Sequence, residues 1–145
     1  MLRKLLVTLA AVLVMGVAAP GIAEAEPPGG TTCRGYACDN QDPYATNCAS
    51  GAYVKYSAYV SSSNWINLWY SPTCATAWAQ TGAVGFSIKV VSYWTSGAHR
   101  MTVSSYTQYY VRYTRMVYDG GGLVAEACEG LPFTDGQGWV CTARY

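Results

Sequence analysis

His99 is the only histidine of the chain, and acid–base chemistry would have to start from it. With Ser96 or Ser104 as nucleophile and Asp119 or Asp135 to orient the ring, it would complete a hydrolytic triad. No Gly-x-Ser-x-Gly elbow and no serine-protease flank supports that arrangement. Ser96-Gly97-Ala98, just before it, is turn chemistry, so His99 reads as a solvated turn histidine. Glu126 and Glu129 stand three apart beside Cys128. A glycosidase pair must face across a cleft at a set separation, and nothing in this spacing provides one. Asp39-Asn40-Gln41-Asp42 clusters the oxygen ligands Ca²⁺ uses, but lacks the spacing and closing glutamate of an EF-hand loop. Asp42-Pro43 reads more simply as a turn in which the aspartate accepts backbone N–H groups. We therefore expect no enzyme, no bound metal and no cofactor.

The cysteines carry a clearer signal. All six (Cys33, Cys38, Cys48, Cys74, Cys128, Cys141) follow residue 25. Residues 1–25 read as a secretory signal peptide: Arg3 and Lys4, an uncharged apolar stretch over 5–19, and Ala23-Glu24-Ala25 as the cleavage site. The apolar run is too short for a spanning helix. Export to an oxidising compartment turns an even cysteine set into disulfides. Six cysteines allow about 15 pairings, which sequence alone does not resolve. The arrangement Cys33–Cys38, Cys48–Cys74 and Cys128–Cys141 keeps every loop local. A zinc site is disfavoured by the absence of any Cys-x-x-Cys pair.

The whole chain has nine basic and eight acidic residues. Losing Arg3, Lys4 and Glu24 leaves it formally neutral, which removes the electrostatic case for nucleic acid or an anionic membrane. With 51% hydrophobic and only 12% charged residues among 145, it is not a disordered chain. Residues 26–32, with Pro27-Pro28-Gly29-Gly30, should form a flexible arm, and residues 33–145 a single domain. Residues 33–52 read as a stapled loop region. From Tyr53 onward the pattern is β: 53–60, 65–70, a short run centred on Trp78, 86–94, 100–106, 110–118, 123–128 and 139–145. Ser61 to Asn64, Ser96-Gly97-Ala98 and Asp119-Gly120-Gly121-Gly122 read as turns, the last as a strong hairpin. Seven or eight short strands with turns at this spacing predict an all-β fold, a small disulfide-stapled sandwich or barrel.

Thirteen tyrosines and five tryptophans are too many for such a core to bury completely. Tyr106, Tyr109, Tyr110 and Tyr113, interleaved with Arg112 and Arg115, have the composition of a protein-binding hot spot. These residues, together with the arm over 26–32, are the expected contact regions. Tyrosine faces also stack on sugars, so a glycan is the alternative ligand.

Two segments carry a resemblance. One is Cys33-Arg34-Gly35-Tyr36-Ala37-Cys38, followed by Asp42-Pro43 and Cys48. The other runs Leu68-Trp69-Tyr70-Ser71-Pro72-Thr73-Cys74 and on to Trp78-Ala79. Together they resemble the YjfA-like family of small secreted proteins, common in actinobacteria and of unassigned function. The match covers roughly residues 33–79. It implies an extracellular β-rich domain with these four cysteines paired, and no known active site. Small secreted proteins of this kind are associated with multi-subunit antibacterial toxin particles. There they would act as adaptors between a lectin-like subunit and a repeat-bearing toxin subunit. The expected function is therefore a secreted, non-enzymatic protein-binding domain, an adaptor of an extracellular toxin complex. The alternatives are a lectin-like glycan-binding module and, third, a small secreted hydrolase or inhibitor.

Overall fold

The computed structural model describes residues 30–130 and 138–145. The signal peptide expected at 1–25, most of the arm and Asp135 lie outside them. Among the described residues, eight strands follow a short 3-10 turn at Gly35–Cys38: β1 (Tyr53–Ser61), β2 (Asn64–Ser71), β3 (Thr76–Thr81), β4 (Ser87–Trp94), β5 (His99–Tyr106), β6 (Val117–Tyr118), β7 (Leu123–Gly130) and β8 (Trp139–Cys141). They form two antiparallel four-stranded sheets, ordered β1-β2-β3-β6 and β5-β4-β7-β8. The fold is all-β and disulfide-stapled as expected, and of the two expected architectures, sandwich or barrel, it is the sandwich.

Period-two patterning explains the layering. Ile66 and Leu68 of β2, Ala77 and Ala79 of β3, Ile88 and Val90 of β4, and Ala125 and Ala127 of β7 all face the space between the sheets. The alanines on the facing central strands leave room for the branched side chains opposite, so the layers interdigitate. Strand β3 is covered on its other side too. There Trp78 packs with Cys33, Cys38, Cys48, Cys74 and Met116, so the stapled loop over 30–52 lies on the outer face of the first sheet. A strand buried on both faces loses its polar alternation, which is why 75–83 is the least legible stretch of the sequence.

The three disulfides are Cys33–Cys38, Cys48–Cys74 and Cys128–Cys141, the local arrangement expected from the sequence. The first two touch: the Cys48 sulfur lies 3.8 Å from that of Cys33 and 3.9 Å from that of Cys38. Cys48–Cys74 ties the covering loop to the turn between β2 and β3. By loop entropy it should contribute about 3.5 kcal/mol, against about 2 for Cys33–Cys38. Replacing Cys48 and Cys74 together by alanine should lower chemical-denaturation stability by about 3.5 kcal/mol. A loss no larger than that of the Cys33→Ala, Cys38→Ala variant would contradict this ranking.

Three sequence expectations change. Thr31 is buried and the Thr32 N–H donates to Thr46 O at 3.2 Å, so the last residues assigned to the free arm are docked. The strand expected over 110–118 is irregular except for β6. Thr81 N–H donates to Arg112 O and Thr114 N–H to Ala79 O, but Met116 turns away and exchanges bonds with Asn40 and Gln41. Its hydrogen bonding is thus divided between β3 and the N-terminal loop, and no continuous ladder forms. Finally, Asp119 to Gly122 is not a hairpin but the crossing from one sheet to the other. The glycines serve a close approach: a Cβ on Gly120 would sit 2.9 Å from the Tyr118 ring, and Gly121 has φ of 61°.

Candidate functional site

A cleft of about 420 Å³ opens at one lateral side of the sandwich. One wall is Val103, Ser104 and Ser105 of β5, the outermost strand of its sheet. The other is Val111, Tyr113 and Arg115, on the irregular segment that runs along β3. Asn40 and Asp42 of the covering loop line it as well. Its volume falls within the range of ligand pockets.

The loop that frames the cleft is held firmly at both ends. On one side Thr107 N–H donates to Phe86 O at 2.8 Å and the Thr107 hydroxyl to the same carbonyl at 3.0 Å. On the other, Arg112 Nη1 donates to Gly82 O at 2.7 Å. The tip itself is closed by Gln108 and Val111, which exchange backbone bonds. Between these anchors Tyr109 is 79% and Tyr110 95% exposed, and Tyr106 at the end of β5 is also exposed.

The six expected contact residues therefore divide. Tyr106, Tyr109 and Tyr110 present free rings. Arg112 is committed to Gly82. Tyr113 is half-buried, its hydroxyl donating to Asp42 Oδ2 at 3.1 Å and its ring edge-on to Tyr44 at 4.7 Å. Burial, then the hydrogen bond to Asp42, pushes its hydroxyl pKa upward. Arg115 is exposed, and among the described residues it bonds only Asn40 O, at 3.4 Å. Asp42 is fully employed: Oδ1 accepts the N–H groups of Tyr44 and Ala45 at 2.8 and 3.1 Å, the turn role read from sequence. Asn40 and Asp42 belong to a segment more than sixty residues from the rest of the cleft. The sequence gives no signal that they would meet it. The sequence also gives no signal for a second set of exposed aromatics: Tyr53 and Tyr59 on β1, with Trp65 edge-on to Tyr59 at 4.8 Å.

Among the described residues, neither the Ser104–His99 arrangement nor the Glu126–Glu129 pair assembles. His99 opens β5, exposed, with Nε2 2.9 Å from the Thr102 hydroxyl. Ser104 is five residues further along the same strand, about 16 Å away at the usual rise. Glu126 and Glu129 lie on opposite faces of β7. Glu126 accepts from the Tyr93 hydroxyl at 2.6 Å and from Arg144 Nε at 3.1 Å. Glu129 is buried between the sheets and accepts from the Asn64 amide at 2.5 Å, and its burial raises its pKa. Asp39 pairs with Arg100 and accepts the Tyr118 N–H at 2.6 Å. Its carboxylate is turned to those partners and not to a shared cation site with Asp42. Among the described residues, the groups dense enough to hold a metal are built on cysteines tied in the three disulfides. Nor is any helix there long and apolar enough to cross a membrane.

A comparison with protein families matches residues 36–128 to a family described as protein of unknown function (DUF2690). No curated protein and no solved structure matches the chain.

Proposed function

The chain belongs to the DUF2690 family, whose function is unknown, and we propose that it is an extracellular, non-enzymatic domain that binds another protein through the tyrosine loop and the cleft beside it. The observation that carries this reading is the pair Tyr109 and Tyr110, held out in solvent on a loop anchored at both ends. Tyrosine offers a large contact area with little side-chain entropy to lose, and a rigid frame lowers the ordering cost of association. The signal-like leader and the three disulfides support an oxidising, extracellular setting. The finer assignment rests on the resemblance to the YjfA-like proteins: an adaptor joining a lectin-like subunit to a repeat-bearing toxin subunit. A glycan is the second reading, favoured by the polar lining of Asn40, Asp42, Ser104 and Ser105 beside exposed tyrosines.

The test is capture of partners from culture supernatant by the immobilised protein starting at Glu26, read by mass spectrometry. Changing Tyr109 and Tyr110 together to alanine should weaken the captured complex about 30-fold, the cost of a hot spot of 2 kcal/mol. Undiminished capture by a folded double variant would remove the tyrosine loop from the interface. Retention on a polysaccharide column with no protein captured would favour the glycan.

A further inference from the structure

Among the described residues, no strand pairs with the outer edge of β5, and the direction of its backbone groups follows from the neighbouring hydrogen bonds. Thr107 N–H donates to Phe86 O and Gly85 N–H to Thr107 O, so residue 107 turns its backbone toward the β4 side. In an antiparallel ladder that direction alternates. Ser105, Val103 and Met101 then bond to β4, and Tyr106, Ser104 and Thr102 point outward.

The far side of the sheet gives the same parity. Ala125 exchanges bonds with Tyr145, and Ala127 O accepts from Thr142, so these two residues bond away from β4. Glu126 and Cys128 are left to bond Val91 and Lys89 of β4. Ile88, Val90 and Ser92 must then bond β5, and their partners there are Ser105, Val103 and Met101.

Natural edge strands are blunted by lysine, proline or bulges. Strand β1, at the edge of the other sheet, has Lys55 and two register breaks. Strand β5 pairs regularly from Met101 to Tyr106, with neither lysine nor proline in that run. The cleft lies against this unblunted stretch.

We propose that the cleft accepts an extended, acidic peptide segment of the partner, which adds to the second sheet as a strand alongside β5. This rests on the protein-binding reading above and specifies its mode. Main-chain bonds to Thr102, Ser104 and Tyr106 would hold about five residues, some 14 Å of strand. Val111, Tyr113 and Arg115 recur at alternate positions on the opposite wall, so they meet alternate side chains of the peptide. Charge sets the preference. Asp42 keeps its charge, but both of its oxygens are turned to Tyr44, Ala45 and Tyr113. Among the described residues Arg115 bonds only Asn40 O, so the charged group in the cleft with donors left for an incoming side chain is cationic.

A displayed library of random nine-residue peptides, panned on the folded protein, supplies the probe. Enriched peptides should alternate apolar residues and contain aspartate or glutamate. A synthetic copy should slow amide exchange at Thr102, Ser104 and Tyr106 at least tenfold. Ser104→Pro removes an outward N–H without touching the ladder, and should weaken that peptide at least tenfold at an unchanged melting temperature. Arg115→Glu should do the same, and panning on it should enrich basic peptides. Arg115→Glu decides the matter if Ser104→Pro does not fold. No enrichment, a bound peptide that protects none of these amides, or equal affinity for the folded variants would overturn the inference. If both variants still capture the supernatant partner while the Tyr109, Tyr110 variant does not, strand addition fails and the binding reading stands.

Discussion

Asp119→Asn is expected to stabilise the protein by about 4 kcal/mol at pH 8 and to leave it unchanged below pH 4. Asp119 is 3% exposed, and among the described residues neither carboxyl oxygen has a hydrogen-bond partner. Burial pushes its pKa from 3.8 to about 7, against the partial opposition of Lys55. Burial, then Tyr145 and the Asp119 carboxylate, raise the pKa of Tyr70 on β2. The folded protein thus keeps the Asp119 proton up to about pH 7, whereas the unfolded chain releases it near the ordinary carboxylate value. Stability from this group is complete below pH 4, falls as pH rises, and is lost above 7. At about 1.4 kcal/mol per pH unit the fall is about 4 kcal/mol. A neutral amide of the same shape removes that slope. The slope left in the variant belongs to Glu129, raised in the same direction by burial. Chemical unfolding measured from pH 4 to 8 checks both proteins. Parallel curves would show that Asp119 does not titrate in this window.

Trp78→Ala should cost about 3–5 kcal/mol and lower the melting temperature by about 12–20 °C. The indole is 1% exposed, stacked on Trp69 with ring centroids 6.0 Å apart, and wedged among the first four cysteines and Met116. Its ring nitrogen has only a long bond to Gln80, at 3.4 Å, so the loss is one of packing. The disulfides stay closed and hold the walls apart, so the vacated space collapses poorly. A thermal shift corresponding to less than about 1 kcal/mol would mean the site repacks.

The sandwich was legible because most strands leave a local trace. Ile88 and Val90 alternate with Ser87 and Lys89, and Ser96-Gly97-Ala98 turns β4 into β5. Pairing of cysteines close in sequence gave the staples. The strand expected over 110–118 misled because Val111, Tyr113 and Arg115 do alternate, yet the backbone over 112–116 is shared between β3 and the N-terminal loop. Period-two patterning reports which way side chains point, not what the main chain bonds to. The Asp119 to Gly122 run has hairpin composition, and nothing local says that the strands it joins lie in different sheets. Of the cleft, Tyr113 and Arg115 were visible as part of an aromatic, basic run. Asn40, Asp42 and Ser104 were not, because only the tertiary fold brings them to it.

The bonds between the covering loop and the far half of the chain also set the tempo of folding. Asp39 reaches Arg100 and Tyr118, 61 and 79 residues away, and Asn40 and Gln41 bond Met116. Each of these contacts joins segments about sixty to eighty residues apart, and each must overcome the entropy of closing a long loop. Such a topology belongs with the β folds that assemble in milliseconds to seconds, well behind helical proteins of equal stability. Until Met116 arrives, the outer faces of Trp69 and Trp78 are only partly covered. The interval in which this chain is most open to wrong association is therefore set by the segment leading into β6, although the surface at risk lies on β2 and β3.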